Sequence, residues 1–275
     1  MIKNKTSRYS HFEFHNKKGM EMKKLPLGMM ILALISSQQV LAKSWQEIKQ
    51  SGELRIGVPG DYAPLAFHNK QGELIGYDID MAKSLGESLK LKVNFVPSSW
   101  PTLSEDLAAD KFDIAMGGVT ETPGRAAQFA LSSPVVKNGK IALANCQQSQ
   151  KFPTLEAIDR KTVKVIVNPG GTNQSFVDAN IKQAQIIRTK DNVANLQGVR
   201  DQSADIMFTD LIEGDYYQSK EPGVFCVATP EILPGTGSYK VYMMEKDNQP
   251  LLKEVNQWLA GETKSILAHQ WNISE

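Results

Sequence analysis

The sequence predicts an α/β protein of two lobes, with mixed, mostly parallel sheets, flanking helices and a cleft between the lobes. Predicted strands alternate with predicted helices along most of the 275 residues, as is typical of βαβ units. The alternation restarts after Lys140, and segment 111–116 (KFDIAM) resembles segment 203–208 (SADIMF). A chain of this length also permits two domains of ordinary size.

The elements of the first half follow from the spacing of apolar residues. Residues 78–89 are predicted to form a helix because apolar side chains recur from Ile79 to Leu89 at helical spacing. Residues 92–96 (KVNFV) alternate between apolar and polar side chains and are therefore predicted to form a strand. The other predicted elements here are strands over 53–58 and 113–116 and a helix over 102–110.

The second half repeats this order of elements. Its predicted strands are 141–144, 163–167, 185–188 and 205–208, and its predicted helices are 173–184, 192–201 and 210–219. A strand over 238–244 and a helix over 249–260, with Leu251, Val255 and Leu259 on one face, complete the pattern.

We expect three parts in the chain: a leader over 1–42, lobe 1 over 43–137 plus 239–275, and lobe 2 over 138–238 with two hinge crossings. The leader has lysines before an apolar run over 25–35 and small residues before Ala42, which is the layout of a secretory signal peptide. The run is too short for a membrane anchor, which needs about twenty apolar residues. The sequence thus predicts a soluble periplasmic protein, cleaved near Ala42, with its start left open between Met1, Met20 and Met22.

Composition argues against two functional classes. Lys and Arg number 31 against 30 Asp and Glu, so the net charge of +1 lacks the basic excess expected of a nucleic-acid-binding protein. Two cysteines and four histidines provide few metal ligands, and no metal site is expected. The leader holds seven basic and two acidic residues, which leaves 24 basic and 28 acidic groups, or a net charge of −4, in the remainder.

Cys146 and Cys226 are the two cysteines of the chain. An isolated pair in an oxidising compartment usually forms a disulfide. Closing a loop of about 80 residues would stabilise the fold by roughly 4–5 kcal/mol in the chain-entropy model. Two buried free thiols are the alternative.

A glycine-rich turn follows the predicted strand 163–167. Its residues Asn168, Gly171, Thr172 and Asn173 lead into the predicted helix 173–184, and such helix starts favour negative charge. No Lys-Ser/Thr pair follows, so the turn is not a nucleotide-binding P-loop, and a carboxylate is the expected ligand. An ordinary strand-to-helix turn is the alternative.

A second candidate for binding a carboxylate follows the strand over 113–116. Gly118, Thr120 and Arg125 place a hydroxyl and a guanidinium near the end of that strand, and arginine forms bidentate pairs with carboxylates. Lys140, near the expected crossing between lobes, would add positive charge for an anionic ligand. For both cations the alternative is an ordinary solvated surface charge.

Asp210 and Glu213 lie three residues apart at a predicted helix start, so their side chains share a face. Two close carboxylates raise the pKa of one of them, and burial raises it further. A carboxylic acid kept protonated in this way can act as a general acid. The alternative is a capping box, which has the same Asp-x-x-Glu spacing.

Aromatic residues follow the first two predicted strands. Tyr62, preceded by Asp61, and Trp100 are expected at strand ends that face the cleft, where they would stack on a flat ligand ring. The alternative for both rings is packing in a partly buried position.

Three segments resemble the periplasmic amino-acid-binding proteins of type II fold. They are 76–82 (GYDIDMA), 112–115 (FDIA) and 120–125 (TETPGR), and the resemblance extends over 44–273. It implies that Arg125, Thr120 and the Gly171-Thr172 turn bind the α-carboxylate of a ligand. It also implies that Asp210 receives the α-amino group.

A closer resemblance is to the cyclohexadienyl dehydratases within that superfamily. The segments that carry it are 60–62 (GDY), 99–101 (SWP), 138–140 (NGK), 167–173 (VNPGGTN), 191–193 (DNV) and 209–213 (TDLIE). The resemblance implies a paired Cys146 and Cys226, no cofactor, and conversion of prephenate to phenylpyruvate and of L-arogenate to L-phenylalanine. It also implies that Glu213 is the general acid. Leu65 and Gly117 depart from the family pattern, where an aromatic residue and a serine are common.

Two functions follow from these patterns. The first is a dehydratase of small anionic substrates that uses Glu213 as its acid. The second is a non-catalytic binding protein that delivers an amino or carboxylic acid to an ABC transporter permease. Glu213 distinguishes them, because a binding protein needs only Asp210.

Overall fold

Residues 43–274 are described by the structure, which is a computed structural model. The predicted leader over 1–42 lies outside the described residues. Within 43–274, no helix is both long enough and apolar enough to cross a membrane.

The helices alternate with the strands along the chain. The helices are α1 (Trp45–Ser51), α2 (Tyr77–Leu89), α3 (Leu103–Ala108), α4 (Pro123–Gln128), α5 (Leu155–Ile158), α6 (Gly171–Asn180), α7 (Asn192–Arg200), α8 (Leu211–Lys220), α9 (Gln249–Leu259) and α10 (Thr263–Gln270). The strands are β1 (Glu53–Val58), β2 (Asp61–Tyr62), β3 (Ala66–His68), β4 (Leu74–Ile75), β5 (Lys92–Pro97), β6 (Ile114–Ala115), β7 (Phe129–Leu131), β8 (Val136–Asn138), β9 (Lys140–Asn145), β10 (Lys164–Val167), β11 (Gln185–Arg188), β12 (Ile206–Asp210), β13 (Phe225–Val227), β14 (Ser238–Lys240) and β15 (Met243–Glu245).

Two five-stranded sheets share one arrangement. The first has the order β5-β1-β6-β15-β7, with β1 parallel to β5 and β6, and β15 antiparallel to β6 and β7. The second has the order β11-β10-β12-β9-β13, with β10 parallel to β11 and β12, and β9 antiparallel to β12 and β13. The α/β class and the mixed sheets predicted from the sequence are confirmed.

The prediction of mostly parallel sheets is wrong, because each large sheet has two parallel and two antiparallel pairings. Parallel neighbours need a crossover connection, usually a helix. Strands β9 and β15 instead follow directly after β8 and β14, which pair antiparallel with each other. The chain thus passes from each strand of this pair directly into a strand of a large sheet, β9 or β15, which is antiparallel to its neighbours there. The boundaries proposed for the two lobes stay a prediction.

Each large sheet is buried on both faces. Consecutive residues of its central strands belong to different apolar clusters, as Ile114 and Ala115 do in the first sheet and Ile206 and Met207 do in the second. Side chains alternate between the faces of a strand, so the two clusters lie on opposite sides of the sheet. This burial explains the continuous apolar runs of these strands.

The predicted strand over 238–244 is divided in the structure. Its first part, β14, pairs with β8, and its second part, β15, pairs with β6 and β7 in the first sheet. Between them the backbone N–H of Val241 donates to the carbonyl of Val119. A single run of strand-like residues therefore serves two sheets, which residue spacing alone does not reveal.

Cys146 and Cys226 form a disulfide, with their Cα atoms 4.9 Å apart. Strand β13 lies antiparallel to β9 and places Cys226 opposite Ala144, next to the end of β9. The disulfide prediction is confirmed, and the alternative of two free thiols is wrong.

Replacing both cysteines, as Cys146→Ser with Cys226→Ser, should lower the free energy of unfolding by roughly 4 kcal/mol, because the open chain gains entropy over a separation of 80 residues. Urea unfolding of the double variant and the oxidised wild type measures the difference. Reduced wild type is the control and should unfold with the variant. Equal midpoints for all three proteins would contradict a stabilising cross-link.

Candidate active site

The candidate site is a cleft with an empty volume of about 350 Å³ beside the carboxyl ends of several strands. Ligands of open α/β sheets bind at this edge. Of the predicted site residues, the cleft is lined by Tyr62, Trp100, Gly118, Thr120, Arg125, Asn168, Gly171, Thr172, Asn173 and Asp210. Three predicted residues are not part of this lining: Asp61, Lys140 and Glu213. Three lining residues were missed: Gly170, Asn192 and Lys240.

Asp210 is a buried carboxylate whose two oxygens both form ion pairs. Lys140 Nζ lies 2.6 Å from Oδ1, and Lys240 Nζ lies 2.7 Å from Oδ2. The Tyr62 hydroxyl also donates to Oδ2, at 2.6 Å. Burial alone would raise the pKa of Asp210, but the two ammonium groups hold it well below its usual value. Asp210 is therefore ionised at any physiological pH.

Lys240 is the main site residue that sequence reasoning missed. Its side chain is 3% exposed, and its ammonium donates to the carbonyl of Gly118 at 3.0 Å and to the hydroxyl of Thr120 at 2.9 Å. It also lies 4.8 Å from the ring centroid of Tyr62, a cation–π contact. Burial lowers the pKa of Lys240, and the charge of Asp210 opposes that shift.

Lys140 binds three different side chains at the rear of the cleft. Besides Asp210, its ammonium donates to Thr172 Oγ1 at 2.8 Å and to Asn173 Oδ1 at 2.5 Å. The residue is 5% exposed, so the alternative of a solvated lysine is wrong. Lys140 thereby fixes the start of α6 against Asp210.

Glu213 is fully buried in the first turn of α8, one turn beyond Asp210. Asn192 Nδ2 donates to Oε1 at 2.6 Å, and the Thr209 hydroxyl bonds to Oε2. Neither partner carries a charge. Burial raises the pKa of Glu213 to about 8, although both hydrogen bonds oppose the shift. The carboxyl is therefore mostly protonated at neutral pH.

The capping-box alternative for Asp210 and Glu213 is wrong. Asp210 occupies the N-cap position of α8, but its side chain makes no capping hydrogen bond to the helix. Its oxygens are taken by the two lysines and Tyr62, while Glu213 bonds to Asn192 and Thr209. The two carboxyls serve the site and not the helix end.

Asp61 positions residues of the cleft wall. It accepts from the indole N–H of Trp100 at 2.8 Å and from the backbone N–H of Asn192 at 3.1 Å. The rings of Tyr62 and Trp100 meet edge to face, with centroids 5.8 Å apart. Both rings line the cleft, so Asp61 holds one wall of it through Trp100.

Asn192 links this wall to Glu213. Its Nδ2 group donates to Glu213 and to the carbonyl of Asp61, while its buried Oδ1 has no hydrogen-bond partner within the described residues. Segment 191–193 carried a family resemblance, but its residue types alone indicated no role for Asn192.

Among the described residues that line the cleft, Arg125 is the cation that has no acidic partner. One guanidinium nitrogen donates to the carbonyl of Thr120 at 2.6 Å, and Arg125 forms no ion pair within this part of the chain. Burial lowers the pKa of Arg125, which nevertheless stays charged at neutral pH. An unpaired guanidinium in a cleft is suited to a carboxylate ligand.

The turn before α6 passes close to Trp100. Gly170 has φ +77°, and a Cβ there would lie 2.5 Å from the backbone nitrogen of Pro101. Only glycine fits this approach without a shift of the backbone. The first residues of α6, from Gly171 onward, line the cleft. The N–H groups of this helix N-terminus therefore lie where they favour an anion.

Comparison with known proteins places the chain in a family. Residues 54–269 match the bacterial extracellular solute-binding proteins, family 3. The chain belongs to this family. Among its relatives, the cyclohexadienyl dehydratase of Pseudomonas aeruginosa (strain PAO1) is 39% identical over 241 residues, which are 87% of this chain and 89% of the relative. The L-cystine-binding protein TcyJ of Escherichia coli (strain K12) is 24% identical over 255 residues, 89% of this chain and 93% of the relative.

Solved structures of this family have the same fold. An ancestral amino acid-binding protein, described as a precursor of cyclohexadienyl dehydratase, has a TM-score of 0.75 and 32% identity, covering 82% of this chain and 98% of that one. An ancestral cyclohexadienyl dehydratase has 44% identity and a TM-score of 0.51, covering 84% of this chain and 97% of that one. The predicted two-lobed fold and the predicted resemblance are confirmed.

Glu213→Gln should stabilise the protein at high pH. The pKa of Glu213 is about 8 in the folded state against a usual 4.5, so the folded state binds more protons than the unfolded state between these values. The stability of the wild type therefore falls as pH rises through this window, whereas glutamine does not titrate. The melting temperature of the variant relative to wild type should rise by roughly 5–10 °C between pH 5 and pH 9.

Thermal unfolding at both pH values tests this expectation. Glu87→Gln is the matched control, because Glu87 is exposed and the same substitution there removes a solvated carboxylate. Its melting temperature relative to wild type should change little between the two pH values. A difference for Glu213→Gln that is equally independent of pH would contradict the raised pKa.

Proposed function

We propose that this chain is a periplasmic cyclohexadienyl dehydratase, a carbon–oxygen lyase that converts prephenate to phenylpyruvate and L-arogenate to L-phenylalanine. The observation that carries the proposal is Glu213, a fully buried carboxyl that stays protonated beside a cleft rich in cations. The 39% identity to the dehydratase of Pseudomonas aeruginosa supports it.

The cleft suits a substrate with two carboxylates. Arg125 and the Thr120 hydroxyl offer donors for one carboxylate, and the N-terminus of α6 at Gly171 and Thr172 offers donors for the other. The rings of Tyr62 and Trp100 form an apolar wall for the cyclohexadiene ring. Holding both carboxylates orients the ring and its hydroxyl before the reaction begins.

The chemical step needs one proton and no redox change. Glu213 gives its proton to the ring hydroxyl, and the C–O bond breaks as water leaves. The electron pair of the bond between the ring and its carboxylate moves into the ring, and CO₂ departs. The ring becomes aromatic, which provides the driving force, and solvent returns a proton to Glu213.

The ring hydroxyl has to replace an existing partner of Glu213. Both carboxyl oxygens are hydrogen-bonded, one to Asn192 and one to Thr209, and Glu213 is fully buried behind the cleft lining. Asn192 itself lines the cleft. The substrate hydroxyl reaches the carboxyl at this residue, where the neutral amide does not compete for the proton.

A solute-binding protein for an amino or carboxylic acid is the second candidate. The family and the L-cystine-binding relative favour it, and such a protein would work with an ABC transporter permease. Under this alternative Glu213 has no chemical role. Substrate turnover distinguishes the two functions.

Purified protein incubated with prephenate should form phenylpyruvate, measured by absorbance against an enzyme-free control. Glu213→Gln should lower kcat by at least about 100-fold, because it removes the general acid and keeps the side-chain shape. The variant should still bind prephenate. Glu87→Gln should match wild type, since Glu87 is exposed. Absence of product from folded wild type would contradict the enzyme, and near-normal turnover by Glu213→Gln would remove this residue from the acid role.

The rate should also depend on pH through the same carboxyl. Because the pKa of Glu213 is about 8, kcat/KM for prephenate should be level near neutral pH and fall about tenfold per unit above pH 8, as the acid loses its proton. Initial rates from pH 6 to pH 10 measure this. The residual activity of Glu213→Gln should lack the alkaline fall; the same fall in both proteins would assign it to another group.

A further inference from the structure

Among the described residues that line the cleft, no carboxylate is free to bind a substrate ammonium group. Asp210 is the acidic side chain among the described residues that line it, and both of its oxygens are occupied. Lys140 holds Oδ1, while Lys240 and the Tyr62 hydroxyl hold Oδ2. The nearby Asp61 is not part of the lining, and its carboxylate accepts hydrogen bonds from Trp100 and the backbone of Asn192.

The charge of the site favours a dianion. Three cations, Arg125, Lys140 and Lys240, face the single charge of Asp210, which leaves an excess of two positive charges. Counting Asp61 as ionised still leaves a positive site. Prephenate carries two carboxylates and no cation, whereas L-arogenate adds an ammonium group and an L-amino acid is a neutral zwitterion. Of the three, prephenate matches the excess charge.

Displacing Lys240 from Asp210 would be energetically costly. Lys240 is 3% exposed, lies over the ring of Tyr62 and has Asp210 as its acidic partner. An incoming ammonium that took Oδ2 would leave Lys240 buried without a counter-charge, and it would itself lie next to Lys140. Among the described residues that line the cleft, the buried acceptor without a hydrogen-bond partner is Asn192 Oδ1, which is neutral.

We propose that Lys240 is a specificity-determining residue, which together with Lys140 occupies Asp210 and so selects a 2-oxo dicarboxylate over substrates with an α-ammonium group. This inference rests on the proposed function, since it names the preferred substrate of that same site as prephenate. Lys240 acts through Asp210 and the charge of the cleft, without a part in the proton transfer.

Steady-state kinetics with both substrates on three proteins test this inference: wild type, Lys240→Met and Lys137→Met. Wild type should show a kcat/KM for prephenate at least about tenfold above that for L-arogenate, because an unmatched buried charge is strongly rejected. Lys240→Met should reduce this ratio about tenfold or more, since it removes the ammonium group from Oδ2 of Asp210 and leaves only the neutral Tyr62 hydroxyl on that oxygen. Lys137 is exposed on the paired strand β8, so Lys137→Met should keep the wild-type ratio. An unchanged ratio in a folded Lys240→Met, or a wild type that prefers L-arogenate, would overturn the inference.

Equilibrium binding separates this inference from the proposed function. Phenylpyruvate and L-phenylalanine share one skeleton and differ at the oxo or ammonium group, and calorimetry measures the affinity of wild type for each without turnover. Tighter binding of phenylpyruvate supports the inference even when neither prephenate nor L-arogenate reacts. Absence of turnover would reject only the proposed enzymatic function. Equal or tighter binding of L-phenylalanine overturns the inference whether or not prephenate is converted. Should Lys240→Met fail to fold, this binding pair and the wild-type kinetic ratio decide the matter.

Discussion

The ion-paired group of Asp210, Lys140 and Lys240 joins parts of the chain that are far apart in sequence. Asp210 ends β12, Lys140 begins β9, and Lys240 ends β14, which belongs to the small pair that connects the two large sheets. Tyr62, from the segment after β1, adds a fourth contact. Buried charges are stable only when they are paired and hydrogen-bonded, so this group sets how the walls of the cleft meet. The positions of Thr120 and Thr172 follow from their hydrogen bonds to the two lysines.

The same group explains how two carboxyls one helical turn apart have opposite charge states. Asp210 takes both ammonium groups and stays ionised, whereas Glu213 has only the neutral partners Asn192 and Thr209 and stays protonated. A lysine paired with Glu213 would stabilise its carboxylate and remove the acid. The negative charge of Asp210 acts in the other direction and helps to raise the pKa of Glu213. Pairs of titratable groups with diverging pKa values in this way are typical of acid–base chemistry.

Sequence reasoning located most of the cleft but not its electrostatics. Gly171, Thr172 and Arg125 were found because turns and helix starts after strands have local signatures, and the order of apolar segments predicted the α/β class. Lys240 was missed because it lies in a strand-like run, SYKVYM, and its partner Asp210 is thirty positions away. The Asp-x-x-Glu spacing fits a capping box as well as an acid pair, and only the three-dimensional partners decide between them. Local patterns therefore predict which residues reach the cleft, while pairing across the fold decides their charge.

A binding site and an acid catalyst in this family make different demands on Glu213. Retaining an anion requires only cations and helix N–H groups, which Arg125 and the start of α6 provide without Glu213. A buried carboxyl whose pKa is about 8 destabilises the folded state increasingly as pH rises from 4.5 toward that value, and an apolar or amide side chain in its place would avoid that loss. Groups that reduce stability persist where they serve a function, since catalytic sites commonly retain such unfavourable residues. The thermodynamic cost of Glu213 thus argues for chemistry at this position and against simple retention of a ligand.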